Sequence, residues 1–222
     1  EMFAEGVNRF VFHSFAHQPW KNPTALMTMG CWGFDFNRKN TLWAGYAEWV
    51  DYLTRSQYLL QQGNHVADVL YVSPELVPSP ATFKPDTPFG YAANCIEPSG
   101  LQKITVQNKC VVTPSGMSCP LLIVNDTAAV SVPLLQHIKT LVENGANVLL
   151  GVRPTSCIGL ADYSTSRDAL KSLSDALWAD LDGKQKNERP LGKGRVFFGV
   201  QPDYVLGKLK CEPDFRVRKR SS

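Results

Sequence analysis

Charge is scarce in this sequence. Asp, Glu, Lys and Arg make up 19% of its 222 residues, with 23 Lys and Arg against 20 Asp and Glu. Arg216, Arg218, Lys219 and Arg220 crowd the C-terminal tail, so the remainder is close to neutral. Nucleic-acid binding needs a basic face on folded surface, and none is visible; the tail reads as a solvated charge run. Long apolar runs are also missing. Nothing approaches the roughly 18 residues of a membrane-spanning helix, so no membrane partner is expected, and no basic start leads into an apolar stretch as in a signal peptide. None of the six cysteines (31, 95, 110, 119, 157 and 211) pairs at a Cys-x-x-Cys spacing, which speaks against zinc and thioredoxin-type chemistry. Gly192-Lys193-Gly194 lacks the remainder of a phosphate-binding loop and reads as a turn entering a strand.

What is present is material for a core, since 44% of residues are apolar. Gly6 closes a short helix end, and Val7, Phe10, Val11 and Phe12 predict a buried parallel strand over 7–12 that ends near His13. Residues 14–40 form a long loop with Trp20, Trp32, Phe34 and Phe36, and loops of that length in compact domains are usually functional. A helix follows over about 41–62, with Trp43, Tyr46, Ala47, Val50, Leu53, Gln57 and Leu60 on one stripe. Beyond Gly63, strands at 65–72, 121–124, 146–151 and 194–200 alternate with helices at 132–144, 167–181 and 204–208. Residues 104–106 and 110–112 predict a hairpin about Gln107-Asn108-Lys109. This alternation predicts a mostly parallel α/β sheet covered on both faces.

Several blocks carry a resemblance. They are Gly6-Val7-Asn8-Arg9-Phe10-Val11-Phe12-His13-Ser14-Phe15-Ala16-His17-Gln18-Pro19; Met27-Thr28-Met29-Gly30-Cys31-Trp32-Gly33; Phe36-Asn37-Arg38-Lys39-Asn40-Thr41-Leu42-Trp43; and Tyr58-Leu59-Leu60-Gln61-Gln62-Gly63 with Val66-Ala67-Asp68-Val69. Gly90-Tyr91, Gly192-Lys193-Gly194-Arg195-Val196 and Pro213-Asp214-Phe215 add weaker matches. In order and spacing the chain resembles glycoside hydrolase family 106, the α-L-rhamnosidases. The resemblance implies that residues 1–63 hold the last strand, loop and helix of a (β/α)8 barrel. It implies that 64–215 form a flavodoxin-like, class I glutamine amidotransferase-like accessory domain, leaving 216–222 as a basic tail. It further implies a carbohydrate partner, rhamnose-containing glycans or glycosides, and a secreted or periplasmic parent protein. The chain is then expected to be a fragment or truncated relative of such an enzyme, with a non-catalytic binding or structural remnant as the alternative. The opening Glu1-Met2-Phe3, which reads as the inside of a longer polypeptide, agrees with a fragment.

Glycoside hydrolysis usually needs two carboxyl groups flanking the bond. The family implies inversion assisted by calcium in the full-length enzyme, with glutamates on earlier barrel strands; no metal ligand is assigned in this chain. Among Glu1, Glu5, Asp35, Glu48, Asp51 and Asp68, only Asp35 falls on the loop that could face a barrel site. One carboxylate is not a pair, so no catalytic residue is named. Barrel active sites lie at the C-terminal strand ends, which makes His13 the first substrate-binding candidate. His17 follows in the same loop. Trp32 offers a flat apolar platform for a sugar face, and Asp35, Arg38 and Asn40 complete the set. Arg38 could instead pair with Asp35, and Asn40 could serve only as a helix cap. The second domain lacks the Gly-x-Cys-x-Gly turn that would expose an amidotransferase nucleophile.

Overall fold

The computed structural model describes residues 1–13, 15–22, 27–28, 30, 36–75, 87–125, 128–159 and 163–216. The chain divides into two compact units, residues 1–63 and 64–222.

The first unit contains a 3-10 turn, Met2–Glu5, and one long helix, α1 (Trp43–Leu60). Gly6 ends the turn at φ 90°, a left-handed value open to glycine. The strand expected over 7–12 is not formed. Residues 7–13 carry no regular structure, and Val11 is 88% exposed. Apolar residues alone do not make a strand, because its backbone groups must be paired, and the described part of this unit holds no second strand. Two glutamine side chains take up part of that bonding. Gln57 Oε1 accepts from Phe10 N at 2.6 Å, and Gln61 Nε2 donates to Asn8 O at 3.0 Å. Rings pack the segment onto the helix: Phe12 lies 4.9 Å from Phe36 and 5.5 Å from Trp49, centroid to centroid. The helix expected over about 41–62 forms as α1, and of its apolar stripe only Leu53 is buried. Trp43, Val50 and Leu60 from that stripe are exposed, as are Leu42, Tyr52, Tyr58 and Leu59.

The second unit runs β1 (Val69–Val72), β2 (Ala93–Ile96), α2 (Pro98–Leu101), β3 (Thr105–Gln107), β4 (Cys110–Val112), β5 (Ser118–Cys119), β6 (Leu121–Val124), β7 (Ala129–Val130), α3 (Val132–Glu143), β8 (Asn147–Leu150), β9 (Ser156–Cys157), α4 (Tyr163–Trp178), β10 (Glu188–Leu191), β11 (Gly194–Phe198) and α5 (Pro202–Lys208). Six strands form one sheet in the order β10-β11-β8-β6-β1-β2. All neighbours are parallel except β10 and β11, which make an antiparallel hairpin. The sheet is therefore mixed but mainly parallel. β1, β6 and β8 are buried at every position, the pattern of strands covered on both faces.

Successive side chains point to opposite faces. Leu70, Val72, Leu122, Val124, Val148, Leu150 and Val196 join Leu101 of α2, the buried stripe of α3, and Leu170, Leu173, Leu177 and Trp178 of α4. Val69, Tyr71, Leu121, Ile123, Leu149 and Phe197 pack on Val205 and Leu206 of α5. Ser131 caps α3, its Oγ accepting from Leu134 N at 3.3 Å. The expected hairpin joins β3 to β4, with Asn108 at φ 51° and Lys109 at φ 65°. Those two values are the signature of the tight turn that matches strand twist. β5 extends this into a small three-stranded sheet.

Burial raises the thiols of Cys95 and Cys119, the latter to about 12. Cys119 is fully buried, whereas Cys95 is exposed. At pH 8 roughly one Cys119 in ten thousand is then thiolate, the reactive form. Iodoacetamide at that pH should label Cys95 well before Cys119, read by peptide mass mapping. Equal rates would show that β5 is not packed as described.

Candidate functional site

The loop that carries the candidate residues is held by buried polar side chains. Gln18, 6% exposed, clamps two stretches: its Nε2 donates to Ala16 O at 3.2 Å and to Met27 O at 2.6 Å, and its Oε1 accepts from Met27 N at 3.1 Å. Arg38 Nη2 donates to Gln18 O at 3.4 Å. Asn37, 3% exposed, accepts from Lys39 N at 2.9 Å through Oδ1, while its buried Nδ2 has no partner. Lys39 Nζ reaches Asn22 O at 2.7 Å.

Asn40 opens the long helix. Its Oδ1 accepts from Leu42 N at 2.9 Å, its main-chain O accepts from Trp43 N at 3.0 Å, and its Nδ2 donates to Tyr46 Oη at 3.0 Å. These bonds make it a residue of the loop-to-helix junction. The side chains of His13, His17 and Arg38 are exposed, and so is Trp20. Trp32 and Asp35 lie outside the described residues. The structure thus joins Arg38 to the loop through Gln18, and Asn40 to the helix; the two histidines make no hydrogen bond among the described residues. Sequence reasoning passed over Gln18 and Asn37. Both are short-range anchors inside the resembling blocks, next to Pro19 and Arg38, and no periodicity marks a buried polar side chain in a loop.

Among the described residues no three His, Cys, Asp or Glu side chains come together as a metal site. Calcium is held by several oxygen donors, carboxylates and carbonyls among them, and the described residues gather no carboxylate cluster of that kind.

The α-L-rhamnosidase family model, that of glycoside hydrolase family 106, matches residues 1–222. The chain belongs to this family. A protein of Formosa agariphila (strain DSM 15362), provisionally named a β-glucuronidase, is 38% identical over 177 residues. That alignment covers 79% of the family 106 chain and 15% of the relative. The solved structure of a rhamnosidase from Novosphingobium sp. PP1Y superposes with a TM-score of 0.80 at 27% identity, over 95% of this chain and 20% of that one. The chain therefore spans a fifth or less of the length of either relative.

The second unit shows no amidotransferase-type centre among its described residues. Asn125 follows β6, and Gly151-Val152-Arg153 follows β8. His137 is taken up by Leu101 O, to which its Nε2 donates at 2.8 Å. The glutamate after β1 is engaged too: Glu75 accepts from both Ser131 N and Ser131 Oγ at 2.7 Å, tying that strand end to the start of α3.

Proposed function

We propose that this chain works within an α-L-rhamnosidase, a glycoside hydrolase removing terminal α-L-rhamnosyl residues from glycans or glycosides. The observation that carries the reading is the family match along the whole chain, together with the likeness to a rhamnosidase structure. Residues 1–63 act in this proposal as the last strand, loop and helix of a (β/α)8 barrel. Two features support that placement. Among the described residues the apolar segment 7–12 has no strand partner, and α1 carries exposed apolar side chains over much of its surface, as a helix made to be covered would. His13, His17, Trp32, Asp35, Arg38 and Asn40 then form one wall of the sugar pocket, with the loop braced by Gln18 and Asn37.

Residues 64–215 act as a flavodoxin-like accessory domain of the amidotransferase type. In chain order the five parallel strands β1, β2, β6, β8 and β11 lie as second, first, third, fourth, fifth, which is the flavodoxin order. Fold does not carry function, and this domain is proposed as structural.

Inverting and retaining glycoside hydrolysis both canonically use a carboxyl pair, and this chain's candidate wall offers Asp35 alone. The isolated 222-residue chain should therefore show no turnover of an aryl α-L-rhamnoside above buffer. The full-length product of the gene should hydrolyse it and leave the matching β-D-glucuronide intact. Turnover of neither substrate by the full-length product would favour the binding-module alternative. In that product His13→Ala should lower kcat about tenfold or more, the loss of one well-placed donor, with an unchanged melting temperature. A lower melting temperature at constant kcat/KM would make His13 a packing residue.

A further inference from the structure

A cleft of about 780 Å³ lies where the loop after β8 meets the middle of α4, and the rhamnosidase reading gives it no role. Open α/β sheets bind ligands beyond the C-terminal ends of their strands, and this cleft is at that end of β8. Between β1 and β6 the equivalent position is closed by Glu75 on Ser131. Arg167, Lys171 and Ser174 of α4 line the cleft; at spacings of four and three they share one helix face. Arg167 and Lys171 are exposed and form no ion pair among the described residues.

Ser174 is the unusual member. It is 2% exposed, and its buried Oγ has no hydrogen-bond partner. A buried hydroxyl is ordinarily satisfied, and one left unpaired calls for an explanation. Opposite α4 the loop is fixed by β9, which pairs with β7, and by bonds from Thr155 N and Ser156 N to Ala128 O at 3.0 and 3.3 Å. The Thr155 and Ser156 hydroxyls also donate to Ala128 O, at 3.4 Å each, and Arg153 is paired with Asp175, so the cations of the lining without an ion pair among the described residues belong to α4. Two carboxylates are near: Asp168 lines the cleft, and Asp175 pairs with Arg153. With Arg153 neutralised and Asp168 counted, Arg167 and Lys171 leave an excess of one positive charge. Two cationic donors beside an unpaired hydroxyl suit an acceptor-only group, and charge-assisted bonds of that kind are the strong ones.

We propose that this cleft is an oxyanion-binding site, taking a carboxylate or sulfate group held by Arg167, Lys171 and Ser174. The anion is either free in solution or carried on a sugar, and the experiment separates the two. The ¹⁵N-labelled 222-residue chain is titrated at constant ionic strength with sodium glucuronate, sodium sulfate and glucose, followed by amide shifts. Both anions should shift the amides of 153, 155–157 and 167–174 saturably at millimolar concentrations, and glucose should not. Glucuronate binding at least tenfold tighter than sulfate assigns the anion to a saccharide; equal affinities assign it to a free ion. The double variant Arg167→Gln, Lys171→Gln should weaken both anions at least tenfold without moving the melting temperature, since both side chains are exposed. Ser174→Ala should weaken binding several-fold while the melting temperature holds or rises, because it deletes an unpaired hydroxyl. The proposal is overturned if neither anion gives a saturable shift, or if the double variant binds them as well as the parent does.

Discussion

Trp178→Ala should cost about 4 kcal/mol of unfolding free energy, at the upper range for losing a large buried aromatic. The side chain is 1% exposed and ends α4 inside the larger of the two cores. Its removal leaves a cavity in a close-packed core, where surrounding side chains relax only partly. A polar loss adds to the apolar one. Trp178 Nε1 donates to Gly151 O at 3.1 Å, and Gly151 N in turn donates to Val124 O at 2.7 Å. The indole therefore fastens the outgoing end of β8. Trp178→Phe keeps most of the volume and loses that bond, so it should fall between parent and alanine variant. Urea unfolding of the three proteins checks the order. A cost below about 1 kcal/mol for the alanine variant would be a surface-like effect and would contradict the packing of α4.

Gly194→Ala should be almost as damaging, at about 3 kcal/mol or more, the upper range for forcing extra volume into packed structure. A Cβ at this position would overlap the carbonyl oxygens of Val142 and Ala146. Both belong to the end of α3 and the turn that follows it, and neither is a flexible tip that could swing away. Two residues earlier, Gly192 turns the β10–β11 hairpin at φ 59°, with a Cβ position 2.6 Å from Glu143 Cα. The turn is seated on the helix end by Lys193 N, which donates to Glu143 O at 3.0 Å, and by Arg195 N, which donates to Ala146 O at 3.1 Å. Lys193 itself contributes only backbone and its side chain is exposed, so Lys193→Ala serves as the control and should stay within about 0.5 kcal/mol of the parent. Thermal unfolding of the pair decides the matter; equal melting temperatures would mean that the hairpin is not pressed against α3.

That turn also explains why Gly192-Lys193-Gly194-Arg195-Val196 was recognisable as a block. Its spacing is set by close backbone approach, a constraint that residue types record directly. The buried strands were equally plain, since Leu121-Leu122-Ile123-Val124 and Val148-Leu149-Leu150 are apolar without interruption. β2 and β10 were passed over. Ala93-Asn94-Cys95-Ile96 and Glu188-Arg189-Pro190-Leu191 are edge strands with polar residues and a proline, and their pairing comes from a neighbour rather than from their own pattern. The opposite error arose at 7–12, where an apolar pattern suits a strand but no partner stands beside it among the described residues. α1 shows a related limit, for its period announced an apolar stripe that the described residues of the 63-residue unit leave mostly uncovered. At the candidate site, sequence pointed to the loop and to the start of the helix. The roles of Gln18 and Asn37 depend on bonds across turns, which spacing does not encode.

The two margins of the large sheet differ in what they offer to another molecule. One margin is β10, where Pro190 presents no N–H and Arg189 turns its guanidinium inward to Ala176 O. A foreign strand arriving there meets an interrupted row of donors, a common defence against edge-to-edge growth. The other margin is β2, four residues without proline, with the exposed Cys95 among them. Of the two margins, β2 therefore keeps an unbroken row of backbone donors where β10 does not, and an alkylating group on Cys95 would sit on that unbroken strand.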